Sequence, residues 1–226
     1  MARTHADKIY DYYPAFLDLC RKKVVVVGGG EIATGKVRGL IPCGPDPLVV
    51  IAPEVSDYIR EKAIEGALTW IQREYTYGDL EGAYICFAAT DDKSANAKVA
   101  KEARERNIPV LAVDDIPNCD FIAPAVVRRG RLVIAISTNA LSPAIASHVR
   151  RKIERDFPPH WAHLLEVAAT VRERLGPARF TIDPEEWQRA LDDDLKSLVW
   201  EGKVDEATEL LWSRLAPDKV ELEARA

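Results

Sequence analysis

Apolar positions in the first half of the chain cluster in short unbroken runs. Val24-Val25-Val26-Val27, Leu48-Val49-Val50-Ile51 and Tyr84-Ile85-Cys86-Phe87-Ala88-Ala89 are each of strand length and show none of the alternation of a half-exposed strand. They read as strands covered on both faces. Further strands are expected near 68–73 and 109–113. Between them lie helices: one that Pro42 ends, one capped by Ser56 and running to Ala63, and an amphipathic one over 94–106. Strand and helix in alternation predict an α/β fold with a parallel, doubly wound sheet.

The rhythm then changes. The apolar, β-branched segments 121–128 and 131–137 flank Arg129-Gly130 and read as a hairpin, and Ser142-Pro143 places a cap and an N1 proline at the start of a helix reaching Phe157. A lone hairpin is marginal, so it should pair with a second chain or with the first sheet, and dimerisation is the preferred explanation. From Pro158 the pattern is helical: 160–175, a helix opened by the capping box Asp183-Pro184-Glu185-Glu186, and a last one over 204–215. Trp161, Trp187, Trp200 and Trp212 are expected as core anchors, and the tail 221–226 as frayed.

Chemistry first shows at the end of the valine run. Gly28-x-Gly30-x-x-Ala33 follows a strand and opens a helix, the arrangement in which a Rossmann-like domain presents a dinucleotide pyrophosphate to a helix N-terminus. Gly28 would allow the turn, Gly30 the approach of phosphate, and Ala33 the packing of helix on strand. The overlapping Gly30-x-x-x-x-Gly35-Lys36 resembles a P-loop opening, but Val37 stands where a hydroxyl should hold Mg²⁺. Lys36 is therefore read as a helix residue near the cofactor or as a solvated one. Four strand ends bring Gly28, Pro53, Thr90 and Asp114 to the carboxyl edge of the sheet, where ligands of such folds bind.

Composition narrows the class. With 47% hydrophobic and 30% charged residues among 226, the chain is of soluble globular type. A net charge of −5 argues against nucleic acid, no apolar run is long enough for a membrane, and residues 1–7 lack a signal-peptide core, so a cytoplasmic protein is expected. Cys20, Cys43, Cys86 and Cys119 form no C-x-x-C pair and are expected as buried free thiols. His160 and His163 share a helix face without a partner that would complete a metal site, so no resident metal is expected.

Read in order, Gly28-Gly29-Gly30-Glu31-Ile32-Ala33, Ala88-Ala89-Thr90-Asp91-Asp92, Val113-Asp114-Asp115, Cys119-Asp120-Phe121-Ile122-Ala123-Pro124 and Ser142-Pro143 resemble the siroheme synthase N-terminal family. Its members are precorrin-2 dehydrogenases, many of them also sirohydrochlorin ferrochelatases. The resemblance implies an NAD-binding Rossmann domain over 1–117, a dimerisation region over 118–157 and a C-terminal helical region over 158–226. It implies oxidation of precorrin-2 by NAD, with Fe²⁺ a substrate where chelation follows. It places cofactor contacts on Glu31, Ile32, Pro53 and Glu54, beside Gly28, Gly30, Thr90 and Asp91, and the family's important aspartate on Asp114. At Asn139-Ala140-Leu141 the chain lacks the glycine common in the family's loop, and Thr34-Gly35 departs from the residues usual before the helix lysine.

Asp114 also suits the chemistry: ring oxidation releases a proton as well as a hydride, and metal insertion displaces two pyrrole protons, tasks for one positioned carboxylate. The bland alternative is an aspartate that starts a turn. An anionic tetrapyrrole calls for positive charge, which Arg128, Arg129, Arg131, His148, Arg150, Arg151 and Lys152 offer, while Ser137 and Thr138 could hydrogen-bond it. The competing function is a non-catalytic NAD(H)-sensing regulatory module. Such modules tend to carry an acid directly at the end of the second strand, which Ile51-Ala52-Pro53-Glu54 delays.

Overall fold

The computed structural model describes residues 12–216, so the N-terminal stretch 1–7 and the tail 221–226 considered above lie outside the described residues. Among the described residues two compact units are present: residues 12–123 together with Asn139–Leu141, and Pro124–Thr138 together with residues 142–216.

Five parallel strands build the first unit: β1 (Val24–Val27), β2 (Leu48–Ile51), β3 (Thr69–Ile71), β4 (Ile85–Ala88) and β5 (Val110–Ala112), in the order β3-β2-β1-β4-β5. Each unbroken apolar run becomes a strand buried along its whole length, as expected of a sheet covered on both faces. Val24, Val26, Val50 and Phe87 pack with Ala33, Val37 and Leu40 of α1 (Glu31–Leu40) and Ile59 of α2 (Asp57–Ile64). The alternate residues Val25, Val27, Cys86 and Ala88 pack with Val99, Ala100 and Ala103 of α3 (Lys93–Glu105). Val27 lies level with Ile51 and Ala88, and Ala88 with Ala112, so four strands end on one line.

Two local expectations need correction, and one crossover differs from the others. Helix α3 starts one residue before Ser94, because Asp92 is its cap and accepts the Ser94 amide at 2.7 Å. No helix joins β3 to β4. Residues 72–84 cross as a loop, and its Leu80, wholly buried, and Tyr75 cover the sheet beside α3. None of the four cysteines forms a disulfide, but only Cys86 is buried; Cys20 is exposed, and Cys43 and Cys119 are half-buried. Burial pushes the Cys86 thiol up to about 12, which keeps it protonated and inert.

The second unit opens with the hairpin β6 (Ala125–Arg129) and β7 (Leu132–Ile136), in which Arg129 pairs with Leu132 and Gly130 turns the chain at φ +58°. Ser142 caps α4 (Pro143–Asp156), accepting the Ile145 amide at 3.2 Å. Helices α5 (Trp161–Arg174), α6 (Pro184–Ala190), α7 (Asp193–Trp200) and α8 (Val204–Leu215) enclose a separate core around Val167, Val171, Leu195, Val199 and Leu211. Trp161, Trp187, Trp200 and Trp212 border that core half-buried. The helix opened by Asp183 stops at Ala190. Asp192 then caps a helix of its own, accepting the Leu195 amide at 3.0 Å, a break the sequence reading passed over.

Candidate functional site

At the carboxyl edge of the sheet, the turns after β1, β2 and β4 open a cleft of about 780 Å³. Gly28, Gly30, Glu31 and Ile32 line it from the first turn, Pro53 and Glu54 from the second, and Thr90 and Asp91 from the turn after β4. All eight residues expected to meet a cofactor thus face one space.

The glycines divide their work differently from the sequence reading. Gly28 has φ +121°, and a Cβ there would stand 2.2 Å from the Ala89 carbonyl oxygen. Gly29, passed over in the motif, is equally constrained: its Cβ would meet the Glu54 carbonyl at 2.0 Å. The first two turns therefore touch backbone to backbone, and the Ser56 amide donates to Gly29 O at 2.9 Å. A Cβ on Gly30 would meet nothing within 4 Å, so that face is open to a ligand. Gly30 is also the cap of α1 and provides no side chain to its amides, which leaves them directed at an anion.

Around this opening the turns are braced. Buried Thr34 donates to the Gly30 carbonyl at 2.9 Å and shares a 2.7 Å hydrogen bond with Ser56, which joins the start of α1 to the cap of α2. Buried Asn96 fixes the turn after β4: its Oδ1 accepts from the Thr90 hydroxyl at 2.8 Å and the Thr90 amide at 3.2 Å, and its Nδ2 donates to Thr90 O at 2.9 Å. Neither brace was read from the sequence. An asparagine within the first turn of a helix whose preceding turn carries a threonine is the only local sign of the second.

Beyond β2 the cleft is closed by Glu74 and Tyr75 from the loop after β3, and on the α3 side by Ala95 and Lys98. Lys36 does not line it. That lysine is half-buried, and burial holds its ammonium below the ordinary lysine range, opposed in part by nearby Cys119.

Asp114 follows β5, next along the edge, in the left-handed region at φ +57° and exposed. Its carboxylate has no hydrogen bond among the described residues, whereas Asp115 accepts from the Asn118 side chain. The turn is thus held by Asp115, and the carboxylate free to act is that of Asp114.

In the second unit, the groups expected to meet substrate have several local duties. Thr138 donates to Ser142 O at 3.1 Å and accepts the Ser142 amide at 3.2 Å, so its hydroxyl is spent on the turn before α4. Arg129 donates to Phe157 O at 2.6 Å and Glu154 O at 3.0 Å, closing the carbonyl end of that helix. Arg150 pairs with Glu154 and Lys152 with Asp156. Arg128, Ser137 and His148 are exposed, Ser137 in the segment that also carries Thr138. Asn139 and Ala140 follow it with φ +51° and +62°.

A family model described as "Putative NAD(P)-binding" matches residues 15–125. The chain is 36% identical over 205 residues to a siroheme synthase of Methylococcus capsulatus, covering 89% of this chain and 43% of that protein. It is 32% identical over 203 residues to a siroheme synthase of Photobacterium profundum, with the same coverage of 89% and 43%. It therefore spans less than half the length of these relatives. Among solved structures, SirC, a precorrin-2 dehydrogenase, superimposes with a TM-score of 0.70 at 26% identity over 88% of this chain and 99% of that one.

Proposed function

The chain belongs to the siroheme synthase N-terminal family, and on that footing we propose that it oxidises precorrin-2 to sirohydrochlorin in siroheme biosynthesis, with NAD as the hydride acceptor. The observation that carries this reading is the open face at Gly30 beneath the start of α1, which no side chain caps, with the Asp114 carboxylate two strands away. The residues present fit a dinucleotide: a glycine cradle for the pyrophosphate, and strand ends on both sides of it for the two nucleosides. When bound, the oxidised nicotinamide supplies the two-electron acceptor. Thr90 and Asp91, held by Asn96, line the cleft on the side of β4, next to the strand that bears Asp114. The Asp114 carboxylate takes the proton that ring oxidation releases.

Charge favours NAD over NADP. Glu31, Glu54, Glu74, Asp91 and Asp92 line the cleft, against Lys98 as the one cation among the described residues that line it, a setting that repels a 2′-phosphate. Arg128 and His148, with Ser137, serve the carboxylates of the tetrapyrrole; Thr138 acts by shaping its turn. Region 118–157 is the dimerisation region of a cytoplasmic homodimer: α4 has no buried residue along its 14 positions, and in the hairpin only Val127 is buried. Where chelation follows, Fe²⁺ enters as substrate and Asp114 receives the pyrrole protons.

Incubation with precorrin-2 and NAD⁺ should convert the chromophore and generate NADH. Asp114→Ala should slow turnover by about 10²-fold or more while leaving NADH affinity unchanged. NADH binding without turnover would make the chain a regulatory module instead. Sirohydrochlorin with Fe²⁺ should be metallated faster than in the protein-free control if the second activity is present.

A further inference from the structure

The loop between β3 and β4 stands where a crossover helix would ordinarily cover the sheet, yet it is held at two points. Arg73 forms a two-pronged ion pair with Asp79 at 2.7 and 2.6 Å, and Asp79 also accepts the Thr76 amide at 2.8 Å. Behind the loop lies Glu102 of α3, a carboxylate with no exposure at all. It accepts the Tyr75 hydroxyl, the Gly78 amide at 2.9 Å and Arg106 Nε at 2.7 Å. A buried carboxylate that gave up one of these partners would be strongly penalised, so the loop has one stable placement. Burial, and then the carboxylate it donates to, push the Tyr75 phenol above its ordinary range, and it stays a donor.

The stretch so fixed presents Glu74 and Tyr75 to the cleft. Their position follows from strand order. With the pyrophosphate over the turn after β1, the edge on the β4 side leads to Asp114, and the edge on the β2 and β3 side receives the adenosine half. The residue directly after β2 is Ala52, so that strand offers no acid at the usual place. Glu54 comes later, and its carbonyl abuts Gly29 in the first turn. Glu74, exposed and with no ion pair among the described residues, comes in from the next strand over.

We propose that Glu74 is the specificity-determining residue of the cleft, accepting the adenosine ribose hydroxyls and turning away a 2′-phosphate, and that Glu102 is the positioning residue that holds its loop. This rests on the reading of the cleft as a dinucleotide site. It moves the choice of coenzyme from the strand that ordinarily makes it to a clamped loop on the neighbouring strand.

The test is the affinity of the full chain for NADH and NADPH, measured by nucleotide fluorescence with thermal midpoints alongside. The unaltered protein should bind NADH more tightly. Glu74→Gln should weaken NADH by about tenfold and shrink the NADH to NADPH ratio, and Glu74→Arg should invert it. Glu54→Gln should weaken both nucleotides alike. Tyr75→Phe, which removes only the hydroxyl held by Glu102, should move the ratio in the same direction as Glu74→Gln. A ratio that responds to Glu54→Gln and not to Glu74→Gln overturns the assignment of Glu74 while leaving the dinucleotide site standing. A ratio unchanged in Tyr75→Phe with a lowered midpoint makes Glu102 structural only. Binding of neither nucleotide by the unaltered protein removes the dinucleotide reading and this inference with it.

Discussion

The three adjacent glycines of the first turn make separable predictions at the scale of single residues. Gly28→Ala and Gly29→Ala each drive a Cβ into a carbonyl oxygen, at 2.2 and 2.0 Å, and should cost more than about 3 kcal/mol, read as loss of soluble protein or a large fall in midpoint. Gly30→Ala meets no such obstacle. It should fold almost as well as the parent and lose nucleotide affinity, because the methyl occupies the open face proposed for the pyrophosphate. Ala140, at φ +62°, is the reverse case: a residue with a Cβ in a conformation that glycine adopts freely. Ala140→Gly should stabilise the protein by up to about 1 kcal/mol in urea titration. The loop clamp has a pH signature as well. Hydrogen bonding from Arg73 holds the Asp79 carboxyl below its ordinary 3.8 despite partial burial, so its contribution is complete above that value and lost as pH falls through the lowered one. The midpoints of the parent and Asp79→Asn should differ at neutral pH and converge in acid.

At the scale of elements, legibility depended on how local each cause was. The valine run, Gly28, Ala33, Ser56 and Ser142-Pro143 act through their neighbours in sequence, and strands, turns and caps formed where these residues placed them. The contact of Gly29 with Glu54, the bond from Thr34 to Ser56 and the hold of Glu102 on Tyr75 join residues 22 to 27 apart, and no periodicity announces them. The Asp192 cap was local and could have been read from three consecutive aspartates before a leucine. Among the basic residues, sign was visible but partnership was not: Arg129 looked like a substrate ligand and proved to close α4. Arg129→Ala should therefore destabilise by about 1–2 kcal/mol, measured by thermal melting with helix content followed by circular dichroism.

Across the whole molecule, two separate cores imply two melting events. Four of the five tryptophans, all but Trp70, border the helical core, whereas the cleft proposed for the nucleotide is lined wholly by residues of the sheet unit. NADH at a hundred times its dissociation constant should stabilise the sheet unit by about 2.7 kcal/mol, raising the transition seen by circular dichroism and leaving the tryptophan emission transition in place. The order of strands has one more result. The four-residue valine strand is flanked on both sides, and the borders of the sheet are the three-residue β3 and β5. A neighbouring molecule searching for an unpaired ladder finds only a few amides at either rim, too short a template to seed cross-β growth from the segment of this chain most prone to it.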